Sequence, residues 1–63
     1  MEQTNPIRAM RTATGLTMRE VSRRTGINSG RLSVIERGLV PTEDERLRIM
    51  AVLTAALNAP RSA

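Results

Sequence analysis

The chain contains no cysteine, no histidine and no lysine. Without cysteine there is no disulfide to staple a small fold and no thiolate to hold a metal. Without histidine, the usual general base, the usual activator of a nucleophile and the commonest zinc ligand are gone. With lysine missing as well, the sequence reads as that of a protein that is not an enzyme and needs no cofactor or metal. No apolar run approaches the ~20 residues of a membrane span, and no signal-peptide pattern opens the chain. A soluble, cytoplasmic protein is therefore expected. At 63 residues the chain holds one domain at most, and a hydrophobic core of that size is marginal.

What charge there is falls unevenly. All ten basic residues are arginine, against six acids, for a net charge of +4. Residues 1–38 carry the whole excess: Arg8, Arg11, Arg19, Arg23, Arg24, Arg31 and Arg37 stand against Glu2, Glu20 and Glu36. Residues 39–63 are balanced. A basic half beside a neutral half points to an anionic partner on one side only, or to a plain solvated basic surface.

Glycine occurs only at 15, 26, 30 and 38, and proline only at 6, 41 and 60. Between these breakers apolar residues recur every three or four positions, and no stretch alternates long enough for a strand. The chain reads as all-α. Asn5 is the N-cap of a first helix, with Pro6 at its first position; Ile7, Met10 and Arg11 share a face, and Gly15 ends it. Thr17-Met18-Arg19-Glu20 reads as a capping box opening a second helix, with Leu16 and Val21 as a hydrophobic staple outside it. Arg23 and Arg24 favour the dipole of its last turn, and Gly26 supplies the left-handed residue that stops it. That helix is about eight residues long, too short to persist without tertiary packing. Ile27 points inward, Asn28 caps a third helix over residues 29–37 with Leu32 and Ile35 as its buried pair, and Gly38 ends it. Thr42-Glu43-Asp44-Glu45 opens a fourth helix with a second capping box. Its stripe is Leu47, Met50, Leu53 and Leu57, and it runs unbroken to about Leu57 or in two pieces. The domain is placed at 1–58 and a frayed tail at 59–63.

Residues 24–32, RTGINSGRL, join the second and third helices through a short turn containing glycine, which is the arrangement of a helix-turn-helix. Residues 7–53 resemble the phage-repressor/Cro class of helix-turn-helix domains, also called the XRE family. The resemblance rests on Gly15-Leu16-Thr17, Glu20-Val21-Ser22, Gly26-Ile27, Leu32-Ser33-Val34-Ile35-Glu36-Arg37-Gly38 and Val40-Pro41-Thr42. It implies a small bundle of four to five helices of the lambda-repressor-like type. It also implies a third helix that lies in the DNA major groove. Carried over by position, the base-facing set is Ser29, Gly30, Ser33 and Val34, with Arg31 close by. Arg31 is either a bidentate donor to guanine or a phosphate contact, and Val34 suits a thymine methyl. Ser29 and Ser33 also read as simple solvated helix surface. Thr17, Met18, Arg19, Asn28 and Arg37 are placed at phosphates. Arg11 and Glu36 match a partly buried structural ion pair of the family.

Two positions depart from the family pattern. Met18 stands where glutamine is usual, so packing against a sugar or the third helix is the alternative to its phosphate contact. Thr25 stands where an apolar residue is usual, which is expected to loosen the turn. The acids Glu43-Asp44-Glu45 read as a helix start rather than a metal or acid–base site. Met10, Met18, Met50 and the leucines read as core filling. The resemblance implies a sequence-specific DNA-binding regulator, most simply a repressor, acting as a homodimer on a two-fold symmetric operator. Val52, Leu53 and Leu57 are candidates for the dimer interface, although Leu53 reads better as core. A complete chain of this length resembles Cro-like regulators, whereas an excised domain would have its sensor or dimer interface elsewhere. The alternatives are a protein-interaction module using Leu39, Val40, Leu53 and Leu57, and an architectural or excision-type DNA-binding accessory protein.

Overall fold

A computed structural model describes residues 5–59, which form four helices and no strand: α1 (Pro6–Thr14), α2 (Met18–Thr25), α3 (Ser29–Glu36) and α4 (Glu43–Asn58). The tail expected at 59–63 lies, from residue 60 on, outside the described residues.

Each helix starts where a short polar side chain takes up an orphan amide. Asn5 Oδ1 accepts from the Ile7 N–H at 2.9 Å, and Asn5 Nδ2 donates to the Ile35 carbonyl at 3.2 Å, so this cap also ties α1 to α3. Thr17 Oγ1 accepts from the Glu20 N–H at 3.1 Å. The expected box is only half made there. Glu20 Oε1 accepts from the Thr17 hydroxyl at 3.4 Å rather than from the Thr17 amide, and its other oxygen faces Arg24 at 3.8 Å. Asn28 Oδ1 accepts from the Gly30 N–H at 2.7 Å. At α4 the box is complete: Thr42 Oγ1 accepts from the Glu45 N–H, and the Glu45 carboxylate accepts from the Thr42 N–H at 2.9 Å. Gly15 and Gly26 end α1 and α2 at φ 78° and 79°, the left-handed region that carries little penalty only for glycine. Helix α3 ends one residue earlier than expected, with Arg37 as its C-cap.

The chain has no aromatic residue, and the core is aliphatic: Val21, Ile27, Leu32, Ile35, Ile49 and Leu53, with Ile7, Met10, Leu16 and Met18 packed around it. Burying each such side chain contributes about 1.5–3 kcal/mol. Helix α4 is a single piece that rests on α1 and α2, while α3 rests on α2. The stripe expected on α4 is corrected. Leu47 and Leu57 are 55% and 46% exposed, and Ile49, not Leu47, pairs with Leu53 one turn on; both are fully buried. Leu53 therefore has no surface to offer a second copy or a partner protein. The helix carries aliphatic residues on more than one face, and packing against two helices at once selects the 49/53 register.

Thr25 is also corrected. Its side chain is buried, and its hydroxyl donates to the Val21 carbonyl at 2.7 Å while accepting from the Ile27 N–H at 3.1 Å. The hydroxyl thus satisfies a turn amide that an apolar residue would leave unmet, and tightens the turn. The Ser22 hydroxyl donates to the Ile27 carbonyl across the same turn. Among the described residues, no helix is long and apolar enough to cross a membrane.

Candidate nucleic-acid interface

Helix α3 has two unlike sides. Leu32, Ile35 and Glu36 are buried. Ser29 and Gly30 are exposed, Ser33 is half-buried and Val34 is 39% exposed. Gly30 and Val34 lie one turn apart and share the outward face. The glycine has a local reason: a Cβ there would lie 3.0 Å from Asn28 Oδ1, so a side chain would crowd the cap of α3. Its absence also leaves the first turn of α3 low.

Arg31 is half-buried. Its Nε donates to Glu45 Oε2 at 2.8 Å and its Nη2 to Glu45 Oε1 at 2.9 Å. The hydrogen bond to Glu45 raises Arg31 above its ordinary pKa. In return, the bonds from Arg31 and from the Thr42 amide lower Glu45 to about 2. This partner of Arg31 was not found in the sequence, where Glu45 read only as a capping residue. Arg48 was missed in the same way: its Nη1 donates to the Thr25 carbonyl at 3.3 Å, and its Nε lies 2.9 Å from Asp44.

Of the residues expected at phosphates, Thr17, Arg19, Asn28 and Arg37 are exposed. The hydroxyl of Thr17 and the amide of Asn28 are already used in caps. Met18 is half-buried against the core. Arg11 and Glu36 meet at 2.6 Å.

The ion pairs sharpen the charge asymmetry. Glu20, Glu36, Glu43, Asp44 and Glu45 each pair with an arginine. Among the described residues, Arg8, Arg19, Arg23 and Arg37 have no such partner, and none of them lies on α4. Arg19 and Arg23 share one face of α2, four residues apart. Uncompensated positive charge therefore collects on α1, α2 and the end of α3, whereas on α4 the acids Glu43, Asp44 and Glu45 outnumber Arg46 and Arg48 by one, and Arg31 of α3 offsets the third.

Comparison with known families matches residues 7–63 to the model described as a helix-turn-helix domain. Neither a curated protein nor a solved structure matches the chain.

Proposed function

The chain belongs to the helix-turn-helix domain family, and from that premise we propose that it reads a double-stranded DNA sequence in the major groove with α3 and thereby regulates transcription. DNA binding itself follows from the family, whose members are typically not enzymes. The sequence-specific reading is carried by one observation: α3 commits its apolar side to the core and turns small side chains, Ser29, Gly30 and Ser33, away from it. Small residues let a helix approach base edges closely, and hydroxyls bond donors or acceptors there. Val34 suits a thymine methyl, and Arg31 stands on the flank of this face. Phosphates are gripped by Arg19 and Arg37, by the backbone amides at the start of α2 at Thr17 and Met18, and by Asn28.

One α3 reads only a few base pairs, so two copies act on a two-fold symmetric operator with half-sites about one helical turn apart. Val52 and Leu57, half-buried and exposed on α4, remain as interface residues. The natural consequence of occupying such an operator is repression, in the cytoplasm, with no small-molecule ligand required.

The test is selection from a randomised duplex pool at two salt concentrations, for the wild type and for Ser33→Ala. Enrichment of one symmetric site, with the preference relaxed in Ser33→Ala, supports the reading. Binding that weakens with salt but enriches no sequence overturns the specific part and leaves an architectural binder. Absence of binding at both salts overturns it altogether.

A further inference from the structure

The start of α3 is held by a charge pair that uses up the most obvious base-reading donor. Arg31 commits both Nε and Nη2 to the Glu45 carboxylate, at 2.8 and 2.9 Å. Glu45 is not free to follow Arg31 elsewhere. Its Oε1 also accepts from the Thr42 amide at 2.9 Å, and its own amide is capped by Thr42 Oγ1 at 3.1 Å. The guanidinium is thus tied to a carboxylate that belongs to the cap of α4. The tie joins two helices that are not each other's principal packing partners, since α3 rests on α2 and α4 on α1 and α2. One turn further along α4, Arg48 holds the Thr25 carbonyl at the end of α2. The first two turns of α4 therefore brace both sides of the helix-turn-helix turn.

Arg31 also stands on the flank of the reading face rather than on it. It lies one turn before the fully buried Ile35, whereas Gly30 and Val34 share the outward face. A guanine-reading arginine presents its fork to O6 and N7. Here that would break a bidentate pair and leave Glu45 uncompensated beside a polyanion.

Resting on the reading that α3 enters the groove, we propose that Arg31 is a positioning residue: with Glu45 it fixes where the first turn of α3 stands, and so which base pairs Ser29, Gly30, Ser33 and Val34 meet, and it reads no base itself. Glu45, sixteen positions after Ser29 and on another helix, becomes a determinant of specificity without touching DNA.

The experiment takes the site enriched by the wild type and measures binding and base preference for Arg31→Ala, Glu45→Ala, the double variant, and Thr42→Ala as a control for the α4 cap. Arg31→Ala and Glu45→Ala are each expected to weaken preferred-site binding about ten-fold relative to random duplex and to blur the same base pairs. The double variant is expected to be no worse than about ten-fold, because both changes remove one interaction. Thr42→Ala keeps the wild-type site. Should Glu45→Ala fail to fold, Glu45→Gln carries the same comparison. The inference is overturned if the Glu45 variant keeps or sharpens the wild-type preference while Arg31→Ala loses it at one base pair, because Arg31 then reads that base. It is equally overturned if the double variant loses about a hundred-fold, the additive result. A wild type that enriches no site overturns the DNA-reading proposal and this inference with it, and is distinguished by failing before any variant is compared.

Discussion

Arg11 Nε lies 2.6 Å from Glu36 Oε2 and Arg11 Nη2 lies 3.2 Å from Glu36 Oε1, while the remaining nitrogen, Nη1, donates to the Leu16 carbonyl at 3.0 Å. One guanidinium thereby joins α1, the end of α3 and the loop before α2. The Glu36 side chain is only 8% exposed, and its hydrogen bond raises Arg11 above its ordinary pKa.

Removing one member of such a pair strands the other in a poorly solvated place. Arg11→Ala is expected to cost about 3–5 kcal/mol. A domain of this size has roughly 3–9 kcal/mol in all, so the variant should lose about half or more of its stability and unfold at a much lower urea concentration than the wild type. Replacing both partners by apolar residues of similar volume, Arg11→Met with Glu36→Leu, should recover most of the loss, because no buried charge is left unpaired. Urea denaturation followed by circular dichroism checks both. A loss below about 1 kcal/mol for Arg11→Ala would place the pair with ordinary surface ion pairs.

Thr25 gives a cleaner test of the turn. Thr25→Val keeps the shape and removes the hydroxyl, leaving the Ile27 amide without its 3.1 Å acceptor. The expected cost is about 1–3 kcal/mol, the penalty of an unmet buried donor. Equal or greater stability for the valine variant would show that an apolar residue suits the site better. Amide exchange at Ile27 is the local readout, and it should quicken more than exchange in α1.

The parts of this fold that could be read from the sequence are the local ones. Asn5, Thr17, Asn28 and Thr42 cap, and Gly15 and Gly26 stop, through groups within about four residues of themselves. Periodicity likewise gave Leu32 and Ile35 on α3. It failed on α4, where Leu47, Ile49, Met50, Val52, Leu53 and Leu57 offer more than one apolar stripe, and contact with α1 and α2 makes the choice. The role of the Thr25 hydroxyl is hidden from the sequence because residue type alone does not show which amides a turn leaves unmet. Arg31 and Glu45 meet across a loop, fourteen residues apart, so no helical spacing relates them. The candidate interface was legible in its exposed small residues and illegible in what braces it.

Acid stability should depend on Glu45. Arg31 and the Thr42 amide hold its carboxyl at about 2, below its ordinary 4.5. A carboxylate with a lowered folded-state pKa adds stability that is fully present above the ordinary value. That stability is lost as pH falls from about 4.5 towards 2. Glu43 is lowered too, by Arg46, and contributes in the same direction. In Glu45→Gln the residue at 45 no longer titrates, so the fall in Tm between pH 5 and pH 2 should be shallower than in the wild type, and the two proteins should converge at the acid end. Parallel curves would mean that Arg31 contributes nothing that depends on the charge of Glu45.

Salt dependence separates arginines that meet phosphate from those that only balance α4. Each phosphate neutralised releases counterions, and the logarithmic salt slope falls by about 0.9 per contact. Arg19 is exposed on α2 and has no carboxylate partner among the described residues. Arg46 is also exposed but spends Nε and Nη2 on Glu43, at 3.0 and 2.6 Å. Arg19→Ala should therefore weaken binding to specific and random duplexes alike and reduce the slope by about one contact, with base preference unchanged. Arg46→Ala should leave the slope at the wild-type value. Binding titrations from low to moderate salt supply the numbers. An unchanged slope for Arg19→Ala would move the phosphate grip off this face of α2 and onto Arg37 and the helix ends. A reduced slope for Arg46→Ala would bring α4 to the DNA, against the one-charge excess of acids on that helix.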